Sequence, residues 1–464
     1  MSMAGDIYTR LIAGAVFPLH ERLKKHTTVA ARRELERSQW LSASDLKGLQ
    51  LRRLQALLRS AQAHVPYYRE QWRKLGFDAS KLQSLEDLRQ LPFLGKAEIR
   101  ANVEALKSER AKGLARFNTG GSSGEPLIFY IGRERVSHDV AAKWRATRWW
   151  NVDIGDPEIV VWGSPIELGA QDSVRMLRDR LLRTELLPAF EMSEAKLDEF
   201  VQRIRDRRPR MLFGYPSSLS LIARHAQTRG QRMDDLGLRV AFVTSERLYE
   251  DQRNTIETVF ACPVANGYGG RDAGFIAHQC PQGGMHITAE DIVVEIVDQQ
   301  GAPLPAGEAG EIVVTHLATQ EFPFIRYRTG DIASLDTNNC ACGRGLPVLK
   351  EIQGRSTDFV VAADGTVMHG LALIYVLRGL PGLESFKIVQ ESLELVRVQI
   401  VRGAQFGPDS LAAIEQGFKA RLGAGVQVLI ESVDAISAER SGKFRYVSSK
   451  VPLPATMAAA DNAV

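Results

Sequence analysis

The chain has 464 residues, of which 44% are hydrophobic and 25% are charged, and it carries a formal net charge of +4. This length is too great for one simple core, so we expect at least two domains with the composition of an ordinary globular protein. Four cysteines exclude a disulfide scaffold and fit a cytoplasmic protein, and no apolar run reaches the length of a membrane span.

The first 110 residues are predicted to be mostly helical, because apolar positions recur at spacings of three and four between charges. A helix over residues 46–63 has a start signal at Ser44 and Asp45 and a stop at Pro66. The segment 11–19 (LIAGAVFPL) resembles the core of a signal peptide, but no cleavage site follows it. We therefore expect a buried or peripheral amphipathic helix there.

Residues 117–126 (FNTGGSSGEP) form a loop that is rich in glycine and hydroxyl groups. Its glycines allow positive φ and a close approach to a ligand, and its hydroxyls and amides can donate hydrogen bonds to an anion such as a triphosphate. The following run 127–131 (LIFYI) predicts a strand. The loop is not a Walker loop, because no lysine follows Gly124, and an ordinary surface turn is the alternative interpretation.

From this loop onward, short apolar runs alternate with helical stretches, which predicts α/β layers. The runs 159–162, 211–213 and 240–243 are typical of covered parallel strands. Arginine clusters at 175–183 and 203–210 predict solvated helix faces, because the aromatic interleaving of a nucleic-acid interface is missing. We therefore expect no nucleic-acid partner.

Beyond residue 280 the pattern changes to strands separated by turns, which predicts a β subdomain over residues 280–350. A boundary is predicted near residues 354–358. The expected organisation is therefore a large domain over residues 1–354 and a small α+β domain over residues 355–464.

Four further segments carry candidate chemistry: 265–274 (ANGYGGRDAG), 326–331 (RYRTGD), 354–358 (GRSTD) and 441–445 (SGKFR). Each one alone is explained by a turn or a solvated lysine. In order and spacing, however, they and the glycine-rich loop resemble the adenylate-forming superfamily, most of all its branch of phenylacetate–CoA ligases and CapK-like proteins. This resemblance covers residues 60–450. It implies a multilayer α/β adenylate-forming domain followed by a small, mobile C-terminal domain.

The resemblance also implies chemistry. A carboxylate attacks the α-phosphate of ATP, and the acyl group of the resulting adenylate passes to coenzyme A. The β- and γ-phosphates would be held by loop residues Thr119, Gly120, Gly121, Ser122, Ser123 and Gly124.

The resemblance assigns the remaining nucleotide contacts to later segments. Tyr268 would flank the adenine, with Asn266 and Gly267 near its edge, and Asp272 would help to hold Mg²⁺. Asp331 would accept hydrogen bonds from the ribose hydroxyls, and Arg355 would lie near the same sugar.

The small domain would contribute two residues to this chemistry. Lys443 would be the catalytic cation that the small domain delivers, and Asp358 would be the hinge.

The acyl pocket is assigned less directly. Trp162, Tyr215 and Pro216 are its candidate walls, and Ser245 and Glu246 match substrate-side segments and are counted with the nucleotide-binding candidates. Core packing is the alternative for the aromatic residues.

The cysteines predict a separate metal centre. Cys280, His286, Cys340 and Cys342 supply three thiolates and one imidazole, a set suited to structural zinc with tetrahedral geometry. The alternative is that these cysteines are buried small hydrophobes, which is our expectation for Cys262.

Two departures from the family keep alternatives open. Glu125 replaces a lysine that many members carry, and residues 364–370 lack a proline-containing segment near the acyl acceptor. The leading hypothesis is an AMP-forming ligase that joins an aromatic or arylacetic acid to coenzyme A. One alternative transfers the acyl group to an amine, sugar or carrier protein, and another is a catalytically weak nucleotide-binding scaffold. The sequence leaves the oligomeric state open, with a homodimer as one option.

Overall fold

The computed structural model describes most of the chain. The described residues are 3–118, 127–162, 173–189, 194–355, 359–365, 367–369, 371–378, 380–436 and 446–451. The predicted phosphate loop, together with Asp358 and Lys443, lies outside this part of the chain.

The N-terminal region is helical, as predicted. Its elements are α1 (Met3–Leu11), a π-helical turn (Ile12–Val16), α2 (Phe17–Leu23), α3 (Thr28–Ser38), α4 (Ala43–His64), α5 (Pro66–Leu75), two 3₁₀ turns (Ala79–Lys81 and Leu85–Gln90) and α6 (Lys96–Ala101). In the described part of the chain, no helix combines the length and apolarity needed to cross a bilayer.

The start of α4 differs from the prediction. Ser42 caps the helix, because its extended backbone lets Oγ accept the amide of Asp45 at 3.2 Å. Ser44, the predicted signal, already lies within the first turn. The end of the helix at His64, before Pro66, is as predicted.

An antiparallel pair and an eleven-stranded sheet follow. The strands are β1 (Ala115–Asn118), β2 (Ile128–Ile131), β3 (Glu158–Trp162), β4 (Thr184–Pro188), β5 (Met211–Gly214), β6 (Val240–Thr244), β7 (Val264–Gly270), β8 (Gly274–Gln279), β9 (Met285–Ile287), β10 (Ile292–Val297), β11 (Gly310–His316), β12 (Tyr327–Leu335) and β13 (Val348–Arg355). The helices between them are α7 (Arg133–Trp149), α8 (Ser173–Leu182), α9 (Glu194–Arg207), α10 (Pro216–Thr228) and α11 (Glu250–Phe260). This alternation confirms the α/β class.

The large sheet has the order β10-β11-β12-β13-β9-β8-β7-β6-β5-β3-β4. The strands from β4 to β7 are parallel, as the continuous apolar runs of β3, β5 and β6 predict for those three strands. The pairing becomes antiparallel from β7 to β10. The strands predicted as a β subdomain therefore continue the same sheet. The β7–β8 hairpin provides the connection, because it reverses the chain at Gly270 and Gly274.

The remaining described residues form a smaller four-stranded sheet and a separate two-stranded antiparallel sheet, with a core of their own. Their elements are β14 (Phe359–Val361), β15 (Val367–His369), α12 (Leu371–Arg378), β16 (Leu383–Gln390), β17 (Leu395–Arg402), α13 (Pro408–Leu422), β18 (Gln427–Ser432) and β19 (Val447–Ser449). The four-stranded sheet has the order β18-β17-β16-β19, and α13 buries Phe418 against it. The division into domains between residues 354 and 355 stays a prediction.

A layer of buried charged groups lies between the large sheet and the helices that cover it. Arg145 Nη1 lies 2.6 Å from Glu290 Oε1, and both side chains are almost fully buried. Nearby, Arg135 pairs with Asp139 at 2.9 Å, and His316 Nε2 lies 3.6 Å from the same carboxylate. Burial and the charge of Arg135 lower the pKa of His316 to about 4, so its ring is neutral at pH 7.

Candidate active site and metal centre

The parallel strands end along one edge of the large sheet, and several predicted site residues follow those ends directly. The register pairs Val161 with Gly214, Gly214 with Val243, and Thr244 with Gly267. A Cβ at Gly214 would lie 2.5 Å from the carbonyl oxygen of Val161, so these strands approach too closely for a side chain there. Ligands of open α/β sheets bind outside such carboxyl ends.

An aromatic wall lies at this edge. The rings of Trp162 and Tyr215 stack with centroids 4.3 Å apart, and Phe213 and Phe242 continue the row at centroid distances of 5.8 and 5.9 Å. Pro216 is the first residue of α10, immediately after Tyr215. The three predicted pocket residues therefore lie together. Phe213 and Phe242 were not among the predicted site residues, although they lie in the apolar runs 211–213 and 240–243.

Ser245 and Glu246 turn the chain directly after β6. Ser245 has a φ of 71°, a left-handed conformation that is uncommon for a residue other than glycine and is often found at functional sites. Glu246 Oε2 accepts the backbone amide of Ser217 at 3.3 Å, in the first turn of α10. This contact brings Ser245 and Glu246 to the same edge as Tyr215 and Pro216.

Tyr268 connects this edge to the antiparallel strands. Its hydroxyl donates a 2.8 Å hydrogen bond to Oδ2 of Asp331 on β12. Burial and the negative charge of Asp331 raise the pKa of Tyr268 well above its usual value, so the phenol keeps its proton. On the same strand, the backbone amide of Asn266 donates to Oε1 of Gln279 at 3.0 Å. Gly267 leaves space for the ring of Phe242.

A second tyrosine–aspartate hydrogen bond runs in the opposite direction. Tyr327 on β12 donates to Oδ2 of Asp272 at 2.8 Å, and the amide of Ala273 donates to Oδ1 at 3.1 Å. Tyr327 was not among the predicted site residues, although it lies within the RYRTGD motif. The TGD residues themselves lie inside β12. In the strand register, Asp331 lies opposite Arg355 of β13.

The predicted metal ligands lie together. The ligand atoms of Cys280, His286, Cys340 and Cys342 are all within 4.8 Å of one another. The distance between Cys280 Sγ and Cys340 Sγ is 3.6 Å, and His286 Nε2 lies 3.1 Å from Cys342 Sγ. Zinc–sulfur bonds of about 2.3 Å in a tetrahedron place ligand atoms roughly 3.5–3.8 Å apart, so the set is close to the geometry that zinc requires.

The surroundings orient these ligands. His286 Nδ1 lies 3.1 Å from the carbonyl oxygen of Leu346, so the ring can donate there and keep the Nε2 lone pair for a metal. A Cβ at Gly284 would lie 2.6 Å from Cys340 Sγ, so the turn fits closely around the thiols. The segment that carries Cys340 and Cys342 also contacts the N-terminal region, because the amide of Gly345 donates to the carbonyl oxygen of Gln39 at 2.9 Å.

The described residues thus bring together the aromatic wall, Ser245, Glu246, the β7 residues, Asp272 and Asp331, with the backbone of Arg355 beside Asp331. The predictions for residues 119–124, Asp358, Lys443 and the side chain of Arg355 concern parts that the structure does not describe.

Two family models match the chain. The model of the AMP-binding enzymes matches residues 187–319, and that of the CapK C-terminal domain matches residues 360–450. The first match includes β5, β6 and β7 of the candidate site, and the second includes the four-stranded sheet.

Among curated proteins, the chain is 23% identical to protein CapK of Staphylococcus aureus over 452 residues, covering 95% of this chain and 96% of that protein. It is 28% identical to the phenylacetate–coenzyme A ligase of Pseudomonas putida, covering 72% and 75% of the two chains. Among solved structures, a 2-hydroxyisobutyryl-CoA ligase in the postadenylation state aligns with a TM-score of 0.73 at 22% identity, covering 89% and 92%. This last likeness concerns the fold.

Proposed function

Because the chain belongs to the adenylate-forming superfamily, in the branch of CapK and the phenylacetate–coenzyme A ligases, we propose that it is an ATP-dependent, AMP-forming acid–thiol ligase. In the first half-reaction a carboxylate oxygen attacks the α-phosphorus of ATP, and pyrophosphate leaves. In the second, the thiol of coenzyme A attacks the acyl carbonyl carbon, and AMP leaves. The observation that carries this proposal is the pair of hydrogen bonds from Tyr268 to Asp331 and from Tyr327 to Asp272.

These hydrogen bonds support a nucleotide site at the carboxyl edge of the parallel strands. Asp331 would accept the ribose hydroxyls, and Tyr268 would flank the adenine with Asn266 and Gly267. Residues 119–124 would donate to the β- and γ-phosphates, and Arg355 would contribute a positive charge near the sugar. Fixed donors and cations at these positions lower the barrier, because negative charge develops on the phosphate oxygens in the transition state.

Magnesium fits the donors present at Asp272. A carboxylate is a hard oxygen ligand, and the hydrogen bonds from Tyr327 and Ala273 hold both of its oxygens in place. Bound Mg²⁺ would neutralise phosphate charge during adenylation. The Cys₃His cluster, by contrast, offers four protein ligands and no open position, so we assign it to structural zinc.

Lys443 would supply the mobile cation for adenylation, with Asp358 as the hinge of the small domain. A contact between the two parts of the chain supports this assignment: the rings of Tyr446 and Tyr249 meet edge-to-face with centroids 5.7 Å apart. Lys443 is three residues before Tyr446, a distance of at most about 11 Å along an extended chain. Tyr249 itself follows Ser245 by four residues.

The acid is proposed to be aromatic or arylacetic, because the partly exposed ring of Trp162, backed by the buried ring of Tyr215, offers a flat surface that suits a ring. A pyrophosphate-exchange screen over aryl, arylacetic and short-chain acids tests the whole proposal. We expect exchange that requires one of these acids, and a thioester product when coenzyme A is added. Tight ATP binding without any acid-dependent exchange would contradict the proposal and favour a nucleotide-binding scaffold.

A second candidate acceptor follows from the CapK likeness, which extends through residues 360–450, where the CapK C-terminal model also matches. The acyl group would then pass to an amine, a sugar or a carrier protein. Measuring AMP release with and without coenzyme A separates the two acceptors. Acid-dependent pyrophosphate exchange without a coenzyme A-dependent increase in AMP release would favour this candidate.

A further inference from the structure

The helical segment of residues 3–23 has two apolar faces. One face is buried: Ile12 packs on Gly155, and the ring of Phe17 meets Trp144 edge-to-face with centroids 5.1 Å apart. On the same side, Thr9 Oγ1 donates to Asp156 at 2.9 Å. These contacts fix the segment to the rest of the protein. A surface helix needs only one apolar face for such packing, so the second face is not required for it.

The other face exposes four large aliphatic side chains at intervals of four or eight residues. Their exposed fractions are 65% for Ile7, 55% for Leu11, 60% for Leu19 and 76% for Leu23. Such spacing places them on one side of the helical segment.

Helix α8 lies beside this row and extends it. Its Leu177 and Leu181 are 60% and 43% exposed, and the hydroxyl of Tyr8 donates to the carbonyl oxygen of Leu181 at 2.9 Å. Six of the ten exposed large apolar side chains in the described part of the chain therefore form one surface. We name it the apolar strip, comprising Ile7, Leu11, Leu19, Leu23, Leu177 and Leu181.

Cations surround the apolar strip without acidic partners. Five exposed basic side chains form no ion pair with any other described residue: Arg10, Arg22, Lys24, Lys25 and Arg180. Two acids near the strip whose side chains the structure describes are already engaged, because Glu21 is buried between His20 and His26 and Asp179 pairs with Arg178. The rim of the strip is therefore positively charged.

We propose that the apolar strip is a docking surface for an anionic membrane, on which residues 3–25 and α8 lie flat. The aliphatic side chains would enter the boundary between head groups and acyl chains, while the surrounding cations contact anionic head groups. A second copy of the chain is a poorer occupant. Arg10 lies at one end of the strip and Arg22, Lys24 and Lys25 lie at the other, so pairing two strips in either orientation brings cations together.

Co-sedimentation of the full chain with lipid vesicles tests this proposal without using catalysis, and none of the strip residues belongs to the proposed nucleotide site. We expect binding to phosphatidylcholine vesicles that contain one-third phosphatidylglycerol, weaker binding to pure phosphatidylcholine, and a further loss at high salt. The double variant Leu19→Ser/Leu23→Ser should lower the partition coefficient about tenfold, because two exposed leucines no longer enter the bilayer.

The matched control is Leu75→Ser/Leu429→Ser, which removes two exposed leucines outside the strip and should bind as the parent does. Both double variants should elute as the parent does in size-exclusion chromatography, because all four side chains are exposed. Equal vesicle binding by the strip variant, no binding by the parent, or equal binding to neutral vesicles would overturn the proposal. So would a parental dimer that the strip variant alone converts to a monomer, since a second copy would then cover the surface.

Discussion

Tyr268 donates its hydroxyl to Asp331 at 2.8 Å although their strands, β7 and β12, are four strand positions apart in the sheet. In a flat sheet that separation would be about 19 Å, since neighbouring strands lie roughly 4.8 Å apart. The sheet must therefore curl strongly between these strands. A second hydrogen bond, from Tyr327 on β12 to Asp272 after β7, runs in the opposite direction and stabilises the same curl.

We expect Asp331→Ala to lower kcat/KM for ATP by about 10- to 150-fold, because a hydrogen bond to a charged group contributes roughly 1.5–3 kcal/mol. The effect should appear mainly in the KM for ATP. Steady-state pyrophosphate release at varied ATP concentration measures it. Tyr268→Phe is the matched control: it keeps the ring and should cost only about 2- to 10-fold. An unchanged KM for ATP in Asp331→Ala would place the ribose elsewhere.

Lys443→Ala should reduce acyl-adenylate formation by about 10²–10³-fold, the usual cost of removing one preorganised charge from a transition state. Transfer from chemically prepared acyl adenylate to the acceptor should be much less affected, because the proposal assigns Lys443 to the first half-reaction. Separate assays of the two half-reactions measure this difference, and unchanged circular dichroism serves as the folding control. Near-normal pyrophosphate release by the variant would contradict the assignment.

Much of the fold was predictable because its signals are local. The continuous apolar runs of β3, β5 and β6 indicated covered strands, and the spacing of leucines indicated α4. The continuity of the sheet through β8 and β9 was not predictable, since strand order depends on long-range pairing. The cap at Ser42 was missed by two residues, because Ser44 offered an equivalent local signal.

The candidate site was predictable where motifs carry chemistry. Tyr268, Asp272 and Asp331 were each marked by an unusual local sequence, and the two hydrogen bonds between their strands follow from the curl of the sheet. The buried His316 and its partner Asp139 had no such signal, because a lone histidine or aspartate in sequence does not reveal its packing. For the same reason, the sequence indicated an amphipathic N-terminal helix but not its second apolar face.

The Cys₃His cluster should hold one zinc ion per chain, measurable by elemental analysis of protein purified without chelators. Cys342→Ser should lose most of that zinc and lower the unfolding temperature, because a structural metal site contributes folding free energy directly. Cys262→Ala is the matched control, since Cys262 is a buried cysteine outside the cluster and its loss should leave the zinc content unchanged. Metal-free parent protein with full thermal stability would argue for thiols that merely pack together.

His316 should make the protein less stable as the pH falls below 6.5. Burial and the charge of Arg135 lower its folded pKa to about 4, despite the neighbouring carboxylates of Asp139 and Asp291, whereas the unfolded value is 6.5. Between these values the unfolded state binds more protons. The contribution of His316 is therefore fully present above pH 6.5 and is lost towards pH 4, at about 1.4 kcal/mol per pH unit.

His316→Gln should remove this slope. Between pH 7.5 and pH 5, the parent should lose about 2 kcal/mol more unfolding free energy than the variant, as measured by denaturant titration at each pH. Parallel pH profiles for the parent and His316→Gln would contradict this prediction, because they would mean that His316 has the same pKa in the folded and the unfolded protein.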